Sequence, residues 1–289
     1  MDVLNEIGLR MDKIRKIFQD ITAIFPLMEN LKSLTEKLEN TENEFRSVAY
    51  EAAAMALAVK DISKGFALKE WREFMEGPGA KHTTQIHVGL GWALAQQRVE
   101  VLPIIKTLDP VMRFRVLDGY GYYDGIFRQR KTITNRIVPD EMDANLLPGY
   151  DQGLGRSMWY TCKGECESVS GMIGTFPASR HKDLWRGTGI ACVYVGGYDE
   201  NILRKLFTLS SENHSQLSVG AALVSRSRGN ANAPTPYTEL ACRIWCNCTA
   251  EEVMRITVNA ESLIAGQPDD AYMAWLSNIR EELMSSKIN

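Results

Sequence analysis

The stretch HKDLWRGTGIACVYVGGYDENILRKLFTL, residues 181–209, decides the fold. Its first half is an apolar run centred on a small-x-small element, Gly187-Thr188-Gly189. The run lacks period-two alternation and is long for a strand, so its pattern predicts a helix. Gly196-Gly197 close that helix, because glycine tolerates the left-handed turn that ends one. Asp199 then offers a capping carboxylate to a second, amphipathic helix over YDENILRKLFTL. The unit is helix–turn–helix.

The centre recurs along the chain. Copies begin at Ala52 (AAA), Gly89 (GLG), Gly119 (GYG), Gly153 (GLG), Gly187 (GTG) and Gly220 (GAA), at spacings of 37, 30, 34, 34 and 33 residues. A period in this range marks stacked helical units. The expected fold is all-α: an α-solenoid-like array of about six helix–turn–helix repeats with TPR-like packing, curved around a groove or cavity. Residues 1–45 form a separate amphipathic helical segment, residues 46–229 the array with an insertion at 128–149, and residues 230–289 the closing helices.

Leu4, Ile7, Met11, Ile14, Phe18, Ile21, Phe25 and Met28 fall on one helical stripe in the first segment. Pro26 should break that helix. Two uses of the stripe stay open. It caps the exposed end of the array, or it pairs with a second copy as a homodimer. The insertion (RQRKTITNRIVPDEMDANLLPG) is polar, and an insertion in a repeat array maps to a loop of the kind that often carries function.

Composition narrows the function classes. The chain has 289 residues, 45% hydrophobic and 24% charged, with a net charge of −3. A weakly acidic chain without basic blocks argues against nucleic-acid binding. The charged start MDVLNEIGLRMDK has no signal-peptide core. No apolar run reaches the roughly 20 residues of a transmembrane segment. The expected location is cytoplasmic. Cys162, Cys166, Cys192, Cys242, Cys246 and Cys248 fit that setting as buried thiols. The C-x3-C spacings at 162/166 and 242/246 put each pair on one helical face, and no paired zinc knuckle is present, so no metal site is expected.

Let p be the first small residue of each centre. The small residues at p and p+2 flank an apolar p+1 and let neighbouring helices approach closely. Only such packing explains repeated mid-helix glycine, which costs about 1 kcal/mol relative to alanine. The opposite face carries p−1 and p+3: Glu51/Met55, Val88/Trp92, Asp118/Tyr122, Gln152/Arg156, Arg186/Ile190 and Val219/Leu223. Stacked units would line an inner surface with these side chains. Such a mixture of aromatic and ionisable groups suits a small-molecule site. It would also serve as glue between repeats, and both uses stay open.

Glu51, Asp118 and Asp124 are the catalytic candidates. A carboxyl group against aromatic rings, as in DGYGYYD (118–124), is held protonated by desolvation and can act as a general acid. Trp92, Tyr122, Gln152, Arg156, Arg186, His87 and Trp159 are the candidate binding residues. His82 and His87 form H-x4-H, a poor metal pair, and His87 also reads as a hydrogen-bonded core histidine. Asp151 reads as a helix cap. PDEMD (139–143) reads as a solvated loop, or as a Mg²⁺ ligand set if the ligand is a diphosphate. Otherwise no cofactor is expected. The G-x-G elements lack the preceding strand and third glycine of a nucleotide fingerprint.

At these residues the chain resembles a known family. VAYEAAAMALA (48–58), EGPGAKHTTQIHVGLGWALA (76–95), LDGYGYYDGIF (117–127), YDQGLGRSMWY (150–160), DLWRGTGIACVYVGG (183–197) and YTELACR (237–243) are similar to the UnbL-type family of enediyne biosynthesis proteins. The resemblance covers about residues 45–260, while the first 45 residues look shorter than, and different from, the usual family start. It implies bacterial specialised metabolism. The expected ligand is an apolar polyene or isoprenoid-like intermediate, and the expected chemistry a cyclase or isomerase reaction. The alternative is a non-catalytic scaffold or carrier that contacts pathway enzymes.

Overall fold

The computed structural model describes residues 2–65, 67–264 and 271–285, and among them the chain is all-α, without a strand. The α-helices in chain order are α1 (Val3–Ile24), α2 (Leu31–Glu39), α3 (Asn43–Ser63), α4 (Lys69–Glu76), α5 (Thr83–Gln97), α6 (Leu102–Ile105), α7 (Arg113–Phe127) and α8 (Leu147–Thr161). They continue with α9 (Cys166–Gly174), α10 (Ala178–Val195), α11 (Glu200–Leu209), α12 (His214–Asn230), α13 (Pro236–Ala241), α14 (Ala250–Ser262) and α15 (Ala271–Ser285).

Six long helices carry the repeated centres: α3, α5, α7, α8, α10 and α12. Each packs on the next in chain order, and the small residues set the register. A Cβ added at position p would strike the main-chain oxygen at p−1 of the preceding helix: Gly89 on Glu51, Gly119 on Val88, Gly153 on Asp118, Gly187 on Gln152 and Gly220 on Arg186. A Cβ added at p+2 would meet residue p−3 of the next helix: Gly91 on Val116, Gly121 on Tyr150, Gly155 on Leu184 and Gly189 on Leu217. One geometry is thus used at successive steps. The helices run in the same direction, since N-terminal halves meet (Arg186 Nη2 to Pro148 O, 3.4 Å) and C-terminal halves meet (Arg128 Nη2 to Ala95 O, 2.7 Å; Arg228 Nη2 to Tyr194 O, 2.9 Å).

The array curves back on itself. Ser227 Oγ of α12 donates to Gln85 Oε1 of α5 at 2.9 Å, and Arg228 Nη1 donates to Glu44 O of α3 at 2.5 Å. The inner face is thereby enclosed, and two further helices close its ends. Across the C-terminal end lies α1, with Ile7 against Gly164 and Gly197, and Phe18 on the Trp92 ring at 4.9 Å. Its stripe (Ile7, Met11, Ile14, Ile21) is buried, so α1 caps its own chain and Pro26 follows in a 3-10 turn. At the N-terminal end, Tyr272 of α15 stacks on Phe114 at 4.8 Å and donates to Gln152 Oε1 at 2.8 Å.

The connecting elements are less regular than the long helices. Gly196 and Gly197 do take positive φ (70° and 84°), and the Asp199 side chain accepts from Ile202 N. Thr249 and Glu252 form a capping box at the start of α14. The second elements are short, and the insertion replaces one of them with a π-turn at Arg130–Thr134 and a loop anchored by Tyr120 Oη on Glu141 (2.9 Å).

Two local expectations are corrected. Cys162 ends α8 and Cys166 starts α9, so they do not share a helical face, because the Lys163–Gly164 turn intervenes. Asp151 is not a cap; it lies inside α8, buried, and pairs with Arg180.

Candidate functional site

The p−1 and p+3 side chains do converge on the enclosed interior, in two layers. The N-terminal layer is a polar network built around Asp118, although Arg115 Nε has no partner in it. Asp118 accepts from Arg156 Nη1 (2.8 Å), Gln152 Nε2 (2.7 Å) and Arg115 Nη1 (3.4 Å). Gln152 Oε1 in turn accepts from Arg186 Nε (2.6 Å), and Arg186 pairs with Asp183 at 2.7 Å. Three donors occupy the Asp118 carboxylate, which leaves it the anchor of Arg156 rather than a free acid. Arg186 likewise is fixed by Asp183 and Gln152.

The C-terminal layer is different. Glu51 is 5% exposed, yet among the described residues its carboxyl group accepts no hydrogen bond and forms no ion pair. Burial raises its pKa to about 7; Arg156 opposes that shift and Asp118 adds to it. Arg156 lies over the Tyr122 ring, 4.6 Å from its centroid, and its Nε has no partner. Burial works against the charge on Arg156, but Asp118 and Glu51 hold its pKa above the usual value. The Trp92 ring meets Tyr122 edge-on at 5.0 Å, and its buried Nε1 is also unpartnered. Tyr122 and Tyr160 sit 5.6 Å apart, both held protonated by burial.

Buried polar atoms without partners are rare in native proteins, and a group of them in one place calls for a ligand or an ordered water. The space left between Gln85, Arg115, Asp118, Arg156, Tyr194 and Ser227 is about 20 Å³, room for one water. A larger groove of about 740 Å³ lies elsewhere, bordered by Leu68, Arg72, Arg98, Val99 and Ile104. None of the candidate residues lines it.

Three sequence candidates fall outside the interior cluster. Asp124 is buried on the other side of α7, bonded to Arg128 Nη1 (2.6 Å) and Tyr150 Oη (3.1 Å). His87 meets Thr83 O at 2.8 Å and Trp71 edge-on at 5.3 Å, and burial lowers its pKa to about 4, as befits a neutral core histidine. Trp159 is buried against the Gly164 turn. His82 bonds Ser47 Oγ (2.8 Å), apart from His87. In the PDEMD loop Glu141 is held by Tyr120 and Asp143 caps the Asn145 and Leu146 amides, and no three potential metal ligands converge among the described residues.

Tyr160, Tyr194 and Arg228 are the residues that the sequence reading missed. Tyr160 and Tyr194 occupy p+7 of α8 and α10, one turn beyond p+3 on the same face. Extending the ladder by that turn would have found them. Arg228 follows at p+8 of α12 and stacks on the Tyr194 ring at 4.6 Å.

Among the described residues no helix is long and apolar enough to cross a membrane. No curated protein and no solved structure matches the chain significantly. The family model described as "Protein of unknown function (DUF1702)" matches residues 9–283, from within α1 into α15, and the chain belongs to that family.

Proposed function

We propose that the chain is a bacterial specialised-metabolite biosynthesis protein, allied to the enediyne-associated proteins it resembles. It holds an apolar polyene or isoprenoid-like intermediate in its interior and isomerises or cyclises it by acid–base chemistry. The observation that carries this reading is Glu51: a 5% exposed residue whose carboxyl group has no partner among the described residues, and whose pKa burial raises to about 7. Such a group is matched to proton transfer at neutral pH.

In this mechanism Glu51 gives its proton to a carbon–carbon double bond. The cation that forms lies against the faces of Tyr122 and Trp92, which attract positive charge. The Glu51 carboxylate then takes a proton from an adjacent carbon, so the double bond moves or a ring closes without a cofactor. A Mg²⁺ route would apply only to a diphosphate ligand. The space among Gln85, Asp118, Arg156 and Tyr194 holds about one water and Glu51 does not border it, so in this reading a ligand enters only when α1, which covers Trp92 through Phe18, lifts.

That same closed interior favours a second reading, a non-catalytic scaffold in which the network only fixes the helices. One experiment separates the two. Deleting the gene in its host accumulates the substrate, and an extract of that strain is incubated with the protein in deuterated water. Catalysis predicts deuterium uptake into a pathway intermediate by the wild type and none by Glu51→Gln. A Glu51→Gln gene that restores full product in the deletion strain sinks the catalytic reading and leaves the scaffold.

A further inference from the structure

The charges of the interior do not balance. Elsewhere among the described residues Asp124 pairs with Arg128 and Asp151 with Arg180, Asp61 accepts only from the Trp71 amide, and in the N-terminal layer Asp183 pairs with Arg186. Inside, α7 contributes Arg115 and Asp118, α8 contributes Arg156, α12 contributes Arg228 and α3 contributes Glu51. From α5 come Trp92 and Gln85, neither of them charged. Arg10 of α1, at the mouth, is already paired with Glu44. Asp118 alone serves both Arg115 and Arg156. Arg228 is 4% exposed and has no carboxylate within ion-pair distance among the described residues. Its Nη groups donate to the main-chain oxygens of Glu44 and Tyr194, and its Nε has no partner.

Arg115, Arg156 and Arg228 thus share two features. Each is more than nine-tenths buried, and each keeps an unpartnered Nε, and of the three only Arg228 has no carboxylate partner among the described residues. Arg156 lies over the Tyr122 ring and Arg228 over the Tyr194 ring, each at 4.6 Å, and Tyr160 packs on Tyr122 at 5.6 Å. Three guanidinium groups therefore face one carboxylate and one carboxyl that is only partly ionised. Uncompensated buried cations are costly, and the cost is relieved by an anion that pairs with them.

We infer that the interior takes an anionic ligand, an apolar chain that ends in a carboxylate, with its head group between Arg156 and Arg228 and its body against Trp92 and Tyr122. The inference rests on the proposal of an interior ligand site and adds the chemistry of the head group. It has a consequence at Glu51. A ligand carboxylate beside Glu51 disfavours its ionised form, so binding drives the reaction Glu51–COO⁻ + H⁺ → Glu51–COOH. The ligand charges its own acid.

The test uses the fluorescent tetraene parinaric acid and the corresponding alcohol, titrated into the full-length protein. The acid should bind about tenfold tighter or more, and Arg228→Leu should bring it to the affinity of the alcohol while leaving the alcohol unchanged. Titration calorimetry at pH 7 in buffers of different ionisation heat should show uptake of about half a proton per acid bound, absent in Glu51→Gln and absent for the alcohol. The wild-type comparison stands even if Arg228→Leu does not fold. Equal affinity for acid and alcohol overturns the anionic head group and leaves the ligand site intact. Failure of both probes to bind overturns both.

Discussion

The close approach of the long helices can be tested at a single atom. Gly121 lies in mid-α7, where alanine should be favoured by about 1 kcal/mol on helix propensity. Its added methyl carbon would sit 2.0 Å from Tyr150 O and 3.1 Å from Leu154 N of α8. An ordinary carbon–oxygen contact is about 3.3 Å, so α7 and α8 must part by roughly 1.3 Å. The obstacle is main chain, which cannot swing aside as a side chain would. Overpacking of this kind costs about 1–3 kcal/mol, and the separation loosens the dispersion contacts along the rest of the interface. Because main chain must move, the cost falls at the upper end, about 3 kcal/mol, and after the propensity gain the expected net effect of Gly121→Ala is a loss of about 2 kcal/mol. Gly171→Ala is the control. It lies in α9 with nothing within 4 Å of its built Cβ, and it should gain about 1 kcal/mol. Urea unfolding followed by far-UV circular dichroism reads the difference, about 3 kcal/mol between the two variants with matching slopes. Equal midpoints for Gly121→Ala and Gly171→Ala would refute the assignment of these glycines to helix contact.

Three further outcomes follow from the buried charges and from α1. The Glu51 carboxyl group titrates near 4.5 when unfolded and about 7 when folded, so below pH 4.5 it is protonated in both states and contributes nothing. As pH rises through that window the unfolded chain ionises first and stability is lost, about 3 kcal/mol in full at about 1.4 kcal/mol per tenfold change in proton affinity. Glu51→Gln should therefore match the wild type at pH 4 and exceed it at pH 8, and a constant difference across that range would reject the assignment. Asp151→Asn leaves Arg180 buried without its carboxylate and should cost about 3–5 kcal/mol in urea unfolding; a cost below 1 kcal/mol would mean that the pair is solvated. Phe18→Ala removes the α1 ring that rests on Trp92. It should speed amide hydrogen exchange within α1 and at the Trp92 turn more than elsewhere, and uniform exchange across the array would argue against α1 as the cover of the interior.

What the sequence reveals and what it hides divide along a physical line. The p and p+2 glycines are legible because one contact geometry is repeated, and repetition in space leaves a period in the chain. From the same period the convergence of Glu51, Asp118, Gln152, Arg156 and Arg186 follows, since p−1 and p+3 share a face whatever surrounds them. The partners that decide chemistry are set by other means. Asp118 lost its role as free acid to three donors, and only one of them, Arg115, lies on its own helix. Asp151 resembles a cap in sequence because its partner Arg180 comes from α10, at no fixed sequence offset. No local pattern says that α1 crosses one end of the interior or that Tyr272 closes the other.

Glu51 differs from the other interior ladder groups by what is missing around it, and a missing partner has no signature in sequence. The six helices explain why the omission persists. Their spacing is fixed by backbone contact at the glycines, so the interior cannot collapse around Glu51 to satisfy it. A hydrophobic residue of similar size at this position would cost less to bury. The scaffold therefore holds an expensive carboxyl group in the same interior as a guanidinium whose Nε is unpartnered, with the Tyr122 face under that guanidinium. A purely structural network would gain by filling that carboxyl group with donors, as the Asp118 carboxylate is filled. The contrast lies between two carboxyl groups within the same ring of helices: Asp118 is filled by three donors and Glu51 by none among the described residues, which is why the proposal takes Glu51 rather than Asp118 as its acid.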